Sequence, residues 1–322
     1  MRGGVRGSAG ECGEAKRERF GSESGNSGVL CRLGIRLDGR VTTPLALDNA
    51  TQKARRPIGV FDSGVGGLTV AAALREELPG EDIFYIGDTA RVPYGGKSPS
   101  TIERYSLEIS GMLLAEGAKL IVVACNTASA LAVPRMQELL RVPVIGVIQP
   151  GSEAAVGATR NGHVGVIATR ATVNSGAYER EIRALDASVR VSAMACPLLV
   201  PLIEEGWLED PVTDAVIARY LGDLMGLGVD TLVLGCTHYP LLRNALGRFV
   251  GEGVRLVDSA KNCALKVRQV LEANGLGAGQ GIEGSLRVAL TDPSSAFLRV
   301  AEEALGLKVG EVQSRSVQML NG

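Results

Sequence analysis

Two α/β halves, each built on a parallel sheet and facing one another across a cleft, are the architecture that this sequence predicts. Three observations predict it. From Pro57 onward, short apolar runs alternate with helical segments, the pattern of buried parallel strands joined by covering helices. The alternation restarts at Val164-Gly165-Val166-Ile167-Ala168-Thr169, which echoes Ile58-Gly59-Val60-Phe61-Asp62-Ser63 at an offset of 106 residues. Two apolar runs end in the same kind of cysteine, Cys125 and Cys236, and these lie 111 residues apart. Nearly equal offsets are what two related halves produce. The predicted division is a first α/β domain over 57–148 plus 258–322, a second over 149–257, and an N-terminal extension over 1–56.

The elements follow in order. Ile58 to Phe61 reads as a strand that ends at the turn Asp62-Ser63-Gly64-Val65-Gly66-Gly67, with a helix from Leu68 to Leu78. Asp82 to Ile86 is the next strand, ending at Gly87-Asp88-Thr89. The polar turn Pro93-Tyr94-Gly95-Gly96 then leads to a long helix over 99–116. Leu120 to Ala124 is the strand before Cys125. A helix follows, and then the strand Val144 to Val147. In the second half, Val164 to Thr169 and Thr231 to Gly235 read as strands, and the half closes near Val257. The tail is predicted to carry a helix over 262–273, a strand over 286–290 and a helix over 294–305, all packing back on the first half. Ligands in such sheets sit beyond the carboxyl ends of the strands. Asp62, Asp88, Cys125 and Cys236 all occupy that position.

Composition narrows the function classes. With 322 residues, 45% of them hydrophobic, the chain can bury two moderate cores. A net charge of −1 makes no general case for nucleic acid or an anionic membrane. There is no apolar run of about 18 residues of the kind that spans a bilayer. The six cysteines at 12, 31, 125, 196, 236 and 263 are scattered without a Cys-x-x-Cys pair, so neither a disulfide framework nor a zinc site is expected. These features together predict a cytoplasmic protein. Residues 1–56 carry 11 Lys/Arg against 6 Asp/Glu and ten glycines, which reads as a basic, disordered extension. They lack the apolar core of an export signal.

The chemistry is concentrated in the two cysteine turns, Ala124-Cys125-Asn126-Thr127 and Gly235-Cys236-Thr237-His238. Two thiols on opposite faces of a bound carbon can remove a proton from one side and return one on the other, which inverts a stereocentre. The thiolate is the active base, and a helix N-terminus favours it. Both cysteines are read as preceding a helix. Asn126, Thr127 and Thr237 are neighbours suited to a carboxylate. His238 is one of only two histidines, placed to assist proton transfer or hold a carboxylate. Asp62 is suited to a substrate amine, to tuning a thiol, or to capping the following helix. The glycines after it lack the Lys-Ser/Thr of a P-loop and the dinucleotide spacing, but would let the backbone approach a small anion or ammonium. Tyr94 is read as a loop residue with an exposed hydroxyl. No lysine sits in a pyridoxal-phosphate setting and no metal cluster appears, so neither cofactor nor metal is predicted.

As a set, Asp62-Ser63-Gly64-Val65-Gly66-Gly67, Gly87-Asp88, Pro93-Tyr94-Gly95, Ala124-Cys125-Asn126-Thr127-Ala128-Ser129 and Gly235-Cys236-Thr237-His238-Tyr239-Pro240 resemble the bacterial glutamate racemases of the aspartate/glutamate racemase superfamily. The resemblance runs from about Pro57 to Ser316; residues 1–56 have no counterpart in it. It implies cofactor-independent interconversion of L- and D-glutamate, supplying D-glutamate for peptidoglycan. It implies that Cys125 takes the α-proton from D-glutamate and Cys236 takes it from L-glutamate. Asp62 and His238 would assist the cysteines, with Asp88 and Glu204 in supporting roles. Substrate would be held by Asp62, Ser63, Tyr94, Gly95, Asn126, Thr127, Thr237 and His238, with Thr169 or Thr172 adding a contact. The resemblance also implies a homodimer.

Two rival readings remain at this stage. One is a sister activity on aspartate, a hydantoin or maleate; His238 argues against aspartate, because the aspartate racemases usually carry an acidic residue there. The other is a protein-binding role: some glutamate racemases inhibit DNA gyrase, and the basic segment 1–56 offers a surface for it.

Overall fold

The computed structural model describes residues 53–279, 281–292 and 312–317. Its first sheet has six strands in the order β10-β9-β2-β1-β3-β4, and its second has four in the order β6-β5-β7-β8. The first comprises β1 (Ile58–Asp62), β2 (Ile83–Gly87), β3 (Leu120–Val123), β4 (Val144–Gly146), β9 (Leu286–Leu290) and β10 (Val312–Ser314). The second comprises β5 (His163–Ala168), β6 (Arg190–Ala195), β7 (Thr231–Gly235) and β8 (Arg255–Val257). Every pairing in both is parallel.

Each sheet is covered on both faces, and for that reason its central strands are buried throughout and apolar between their ends. Ile58 and Val60 point into one core layer with Ile83, Tyr85, Leu120 and Val122. Phe61 points into the other with Phe84, Ile86, Ile121 and Val123. The same alternation splits β7: Leu232 and Leu234 face one layer, Val233 the other. Ten helices supply the covering layers among the described residues: α1 (Leu68–Glu77), α2 (Pro99–Ala115), α3 (Asn126–Leu139), α4 (Ile148–Ala158), α5 (Arg170–Ser175), α6 (Ala177–Leu185), α7 (Leu199–Glu204), α8 (Pro211–Gly226), α9 (Arg243–Val250) and α10 (Ala260–Ala273). Helix α2 starts where its sequence says it should. Ser98 accepts a hydrogen bond from the Thr101 amide, and Pro99 occupies the first turn, where a missing N–H costs nothing.

The tail returns to the first sheet. Strand β9 pairs with β2 from Ile83↔Leu286 to Gly87↔Leu290, and α10 packs on α1. The sequence-predicted strands match β1 to β5, β7 and β9 to within a residue or two. The sequence reading has no counterpart for β6, β8 or the three-residue β10. In β6 (Arg-Val-Ser-Ala-Met-Ala) the side chains are exposed or only half-buried, so no apolar run marks it; β8 is three residues long. The helix expected over 294–305 and nearly all of segment 1–56 lie outside the described residues.

Candidate active site

The carboxyl ends of β1, β3, β5 and β7 meet where the two sheets face one another. Asp62 is the last residue of β1 and is fully buried. Its Oδ2 accepts from the Gly64 amide at 3.2 Å and the Gly67 amide at 2.9 Å, which holds the loop before α1; the N-cap of α1 is Gly67, without a side-chain cap. Its Oδ1 accepts from the Thr237 hydroxyl at 3.4 Å, across the two halves. The glycines serve this crossing. A Cβ on Gly66 would lie 2.5 Å from Thr237 Oγ1 and 2.8 Å from His238 Nδ1, and one on Gly67 would lie 2.4 Å from Asp62 Cβ. Gly66 thus admits the second half's own cysteine turn, and Gly67 leaves room for the Asp62 side chain.

Cys125 sits at the N-cap of α3, where its sulfur accepts from the Ala128 amide at 3.5 Å. Its thiol lies 3.6 Å from Ser63 Oγ. Burial, with the nearby Asp62 charge adding to it, pushes this thiol up to about 12, against the pull of the Ala128 amide and Ser63 hydroxyl. Cys236 differs from the expectation. It does not cap a helix: a 3₁₀ turn over Tyr239–Leu242 intervenes before α9. Its sulfur instead lies 3.8 Å from His238 Nδ1. Glu204 Oε1 stands 3.3 Å from His238 Nε2, an ion-pair contact rather than an aligned hydrogen bond. Burial pulls this imidazole down, but Cys236, Glu204 and the Asp62 charge outweigh it and raise His238 to about 10. The electrostatics of Cys125 include Cys236, so the thiols share one site. They are 5% and 6% exposed, so water is largely shut out.

Asn126 and Thr127 open α3 beside Cys125. Asn126 Oδ1 accepts from the Tyr178 hydroxyl at 2.7 Å, while its Nδ2 is buried without a partner. Thr127 Oγ1 lies 2.9 Å from Thr169 Oγ1 and 3.1 Å from Thr172 Oγ1, and these two are 3.0 Å apart. Three hydroxyls from both halves thus form one cluster. Gly95 abuts it, since a Cβ there would lie 2.7 Å from Thr169 Cβ.

Tyr94 corrects the sequence reading: it is buried, not exposed, and its hydroxyl donates to Asp88. Burial and the Asp88 charge hold the phenol well above its usual range. Asp88 is fully committed, with Oδ2 also accepting from Arg91 Nε at 2.7 Å and Oδ1 from Thr291 at 2.9 Å. Asp88 therefore braces the Tyr94-Gly95 turn. The residues missed by sequence are Tyr85 and Tyr178. Tyr85 donates to the Gly64 carbonyl at 2.8 Å; both tyrosines are buried strand- or helix-core aromatics, and nothing local marks a core tyrosine whose hydroxyl is committed to a distant loop. All four described cysteines are free thiols. Among the described residues no group of three or more His, Cys, Asp or Glu side chains is placed to hold a metal. No helix among them is long and apolar enough to cross a membrane.

Comparison with known proteins agrees with this geometry. A family model described as Asp/Glu/Hydantoin racemase matches residues 68–266. A glutamate racemase of Geobacter metallireducens is 49% identical over 263 residues, covering 82% of this chain and 97% of its own length. Among solved structures, the glutamate racemase of Thermus thermophilus in complex with β-chloro-D-alanine is 48% identical, with a TM-score of 0.74 over 83% of this chain and 99% of that one. The glutamate racemase of Francisella tularensis in complex with D-glutamate is 36% identical, with a TM-score of 0.77 over 82% and 99%.

Proposed function

The chain belongs to the Asp/Glu/hydantoin racemase family and racemises glutamate; from that premise we propose that it works with two thiols and no cofactor, and that its D-glutamate feeds peptidoglycan synthesis in the cytoplasm. The observation that carries the mechanism is the pair of buried thiols at the ends of β3 and β7, each with its own polar partner and each within electrostatic reach of the other.

In the proposed step, Cys236 as thiolate takes the α-proton of L-glutamate. The Cα–H electron pair moves onto the α-carboxylate as an enediolate, and the Cys125 thiol delivers its proton to the opposite face. D-Glutamate reacts in the reverse sense, losing its proton to Cys125. The high position of Cys125 suits a proton donor in the first direction. His238, protonated up to about pH 10, is the cationic neighbour that a thiolate base needs. An α-proton beside a carboxylate is a weak acid, so donors aimed at the developing enediolate must carry much of the barrier. The unpaired Asn126 Nδ2, the Thr127 cluster and Thr237 are the candidates, with Ser63 and the Tyr94-Gly95 backbone completing the pocket. Because the thiols are nearly inaccessible here, substrate entry requires the halves to part and close again.

Proton NMR in deuterated water tests this. With L-glutamate or D-glutamate and no added cofactor, the α-proton signal should vanish as both samples approach a 1:1 mixture. Exchange on aspartate or another carbon acid but not on glutamate would discard the substrate. A requirement for an added cofactor would discard the two-thiol mechanism.

A further inference from the structure

We propose that Tyr178 is a positioning residue for the reaction, setting the orientation of the Asn126 carboxamide and thereby tying the reactive geometry of the first half to the seating of the second. The inference rests on the reading of Asn126 as a donor to substrate.

Asn126 can present either its oxygen or its nitrogen to the site. A carboxamide turned the wrong way would aim a lone pair at a substrate carboxylate. Its Oδ1 is taken by the Tyr178 hydroxyl at 2.7 Å, so Nδ2 must face the other way. Nδ2 is buried and unpaired, an arrangement that costs stability unless something fills it. Burial, with the charges of Cys236 and Asp258 adding to it, holds the Tyr178 phenol well above its usual range. The hydroxyl therefore keeps its proton and acts toward Asn126 as a donor.

The same side chain touches the second thiol's turn and the connection between the halves. A Cβ on Gly235, the residue before Cys236, would lie 3.1 Å from Tyr178 Cε2, and one on Gly151 in α4 would lie 3.2 Å from the Tyr178 hydroxyl. Tyr178 stands in α6, in the second half, and Asn126 opens α3, in the first. If the halves part, the hydrogen bond breaks and the carboxamide is free to turn. The donor is correctly aimed only when the halves are seated.

The test is a double-mutant cycle on the full chain with Tyr178→Phe, Asn126→Ala and the pair, read by glutamate racemisation in both directions. Tyr178→Phe keeps the ring and removes only the donor. Its kcat should fall about tenfold, the worth of one well-placed hydrogen bond, with KM changed much less because the enediolate charge develops after binding. In the Asn126→Ala background the same change should cost nothing further. Losses that multiply, or a Tyr178→Phe enzyme with unaltered kcat, would overturn the proposal. So would an Asn126→Ala enzyme that is fully active. Should Tyr178→Phe fail to fold, 3,5-difluorotyrosine at position 178 keeps the ring and the hydroxyl but makes the phenol far more acidic. Its kcat should then decline with rising pH where the unaltered enzyme is still flat, and parallel profiles would overturn the proposal. Absence of glutamate exchange in the unaltered protein would instead fell the racemase reading itself.

Discussion

Cys125 and Cys236 end equivalent parallel strands, β3 and β7, yet their surroundings diverge. Cys125 is held by neutral partners, accepting from the Ala128 amide and donating to the Ser63 hydroxyl, beside the buried charge of Asp62. Cys236 has no helix amide and instead faces a histidine that Cys236 itself, then Glu204 and Asp62, raise against the effect of burial. Equivalent strands of the two sheets place the sulfurs alike, and the side chains around them give each a different set of partners. Pseudo-symmetry thus fixes where the two sulfurs stand, while the surrounding side chains decide what each of them faces.

The harshest way to break the comparison is to remove one thiol. Cys125→Ser and Cys236→Ser should each lower racemisation by about 10³-fold or more, since general acid–base catalysis is typically worth 10²–10⁴. The two variants should differ in what survives. Cys125→Ser should still eliminate HCl from the chloroglutamate enantiomer whose α-proton faces Cys236, and Cys236→Ser from the opposite one. Loss of both eliminations in either single variant, with the fold intact, would show that the stations do not act independently.

His238→Asn should separate the stations next, with a loss of about 10²-fold. The equilibrium constant of a racemase is one, so kcat/KM must fall equally in both directions. The asymmetry has to be sought elsewhere. The primary isotope effect with α-deuterated L-glutamate should rise in this variant, while that with D-glutamate should rise less. Equal isotope effects would place His238 outside the Cys236 proton transfer.

Gly66→Ala probes the contact that joins the stations. The new methyl would stand 2.5 Å from Thr237 Oγ1 and 2.8 Å from His238 Nδ1, which forces the Cys236 turn away from Asp62. Overpacking of this kind typically costs about 1–3 kcal/mol, and activity should fall about tenfold or more as the Asp62–Thr237 contact opens. A fully active Gly66→Ala enzyme would mean that the two turns have room to slide without consequence.

How much of this was legible in the sequence follows from the kind of contact involved. The strand-end positions of Asp62, Asp88, Cys125 and Cys236 follow from apolar runs and turns, which are local and periodic. Likewise the echo of Ile58–Ser63 in Val164–Thr169 needs no tertiary information. What could not be read are contacts across the chain: Tyr178 on Asn126, Thr237 on Asp62, and Gly66 under His238. Each depends on how one half is seated on the other, which no local pattern encodes. Tyr94 was misjudged for the same reason, because its loop looks polar until Asp88, Arg91 and Thr291 are brought around it. The helix expected after Cys236 is there as α9, but Pro240 and the residues beside it form a 3₁₀ turn first, so the sulfur lies against His238 rather than against helix amides.

Glu204→Gln should give the smallest effect and the sharpest reading of the Cys236 station. Its side chain is 36% exposed, so solvent screens the pair and the loss in rate near neutral pH should be only a few-fold. The pH dependence is more telling. His238 is raised from an ordinary value near 6.5 to about 10. A group raised on folding adds stability that is fully present below the unfolded value and is lost as pH climbs through the folded one. In the proposed mechanism the same proton supports Cys236 as base, so the alkaline limb of kcat should fall as His238 deprotonates. Removing the Glu204 charge lowers the folded value, so both the stability loss and the alkaline limb should move to lower pH, while Cys125→Ser should leave the stability profile of His238 nearly in place. Thermal midpoints and kcat measured from pH 6 to about 10.5 check this. An alkaline limb that stays where it is in Glu204→Gln would mean that Cys236 and Asp62 alone hold the histidine's proton, and that Glu204 stands beside the station without taking part in it.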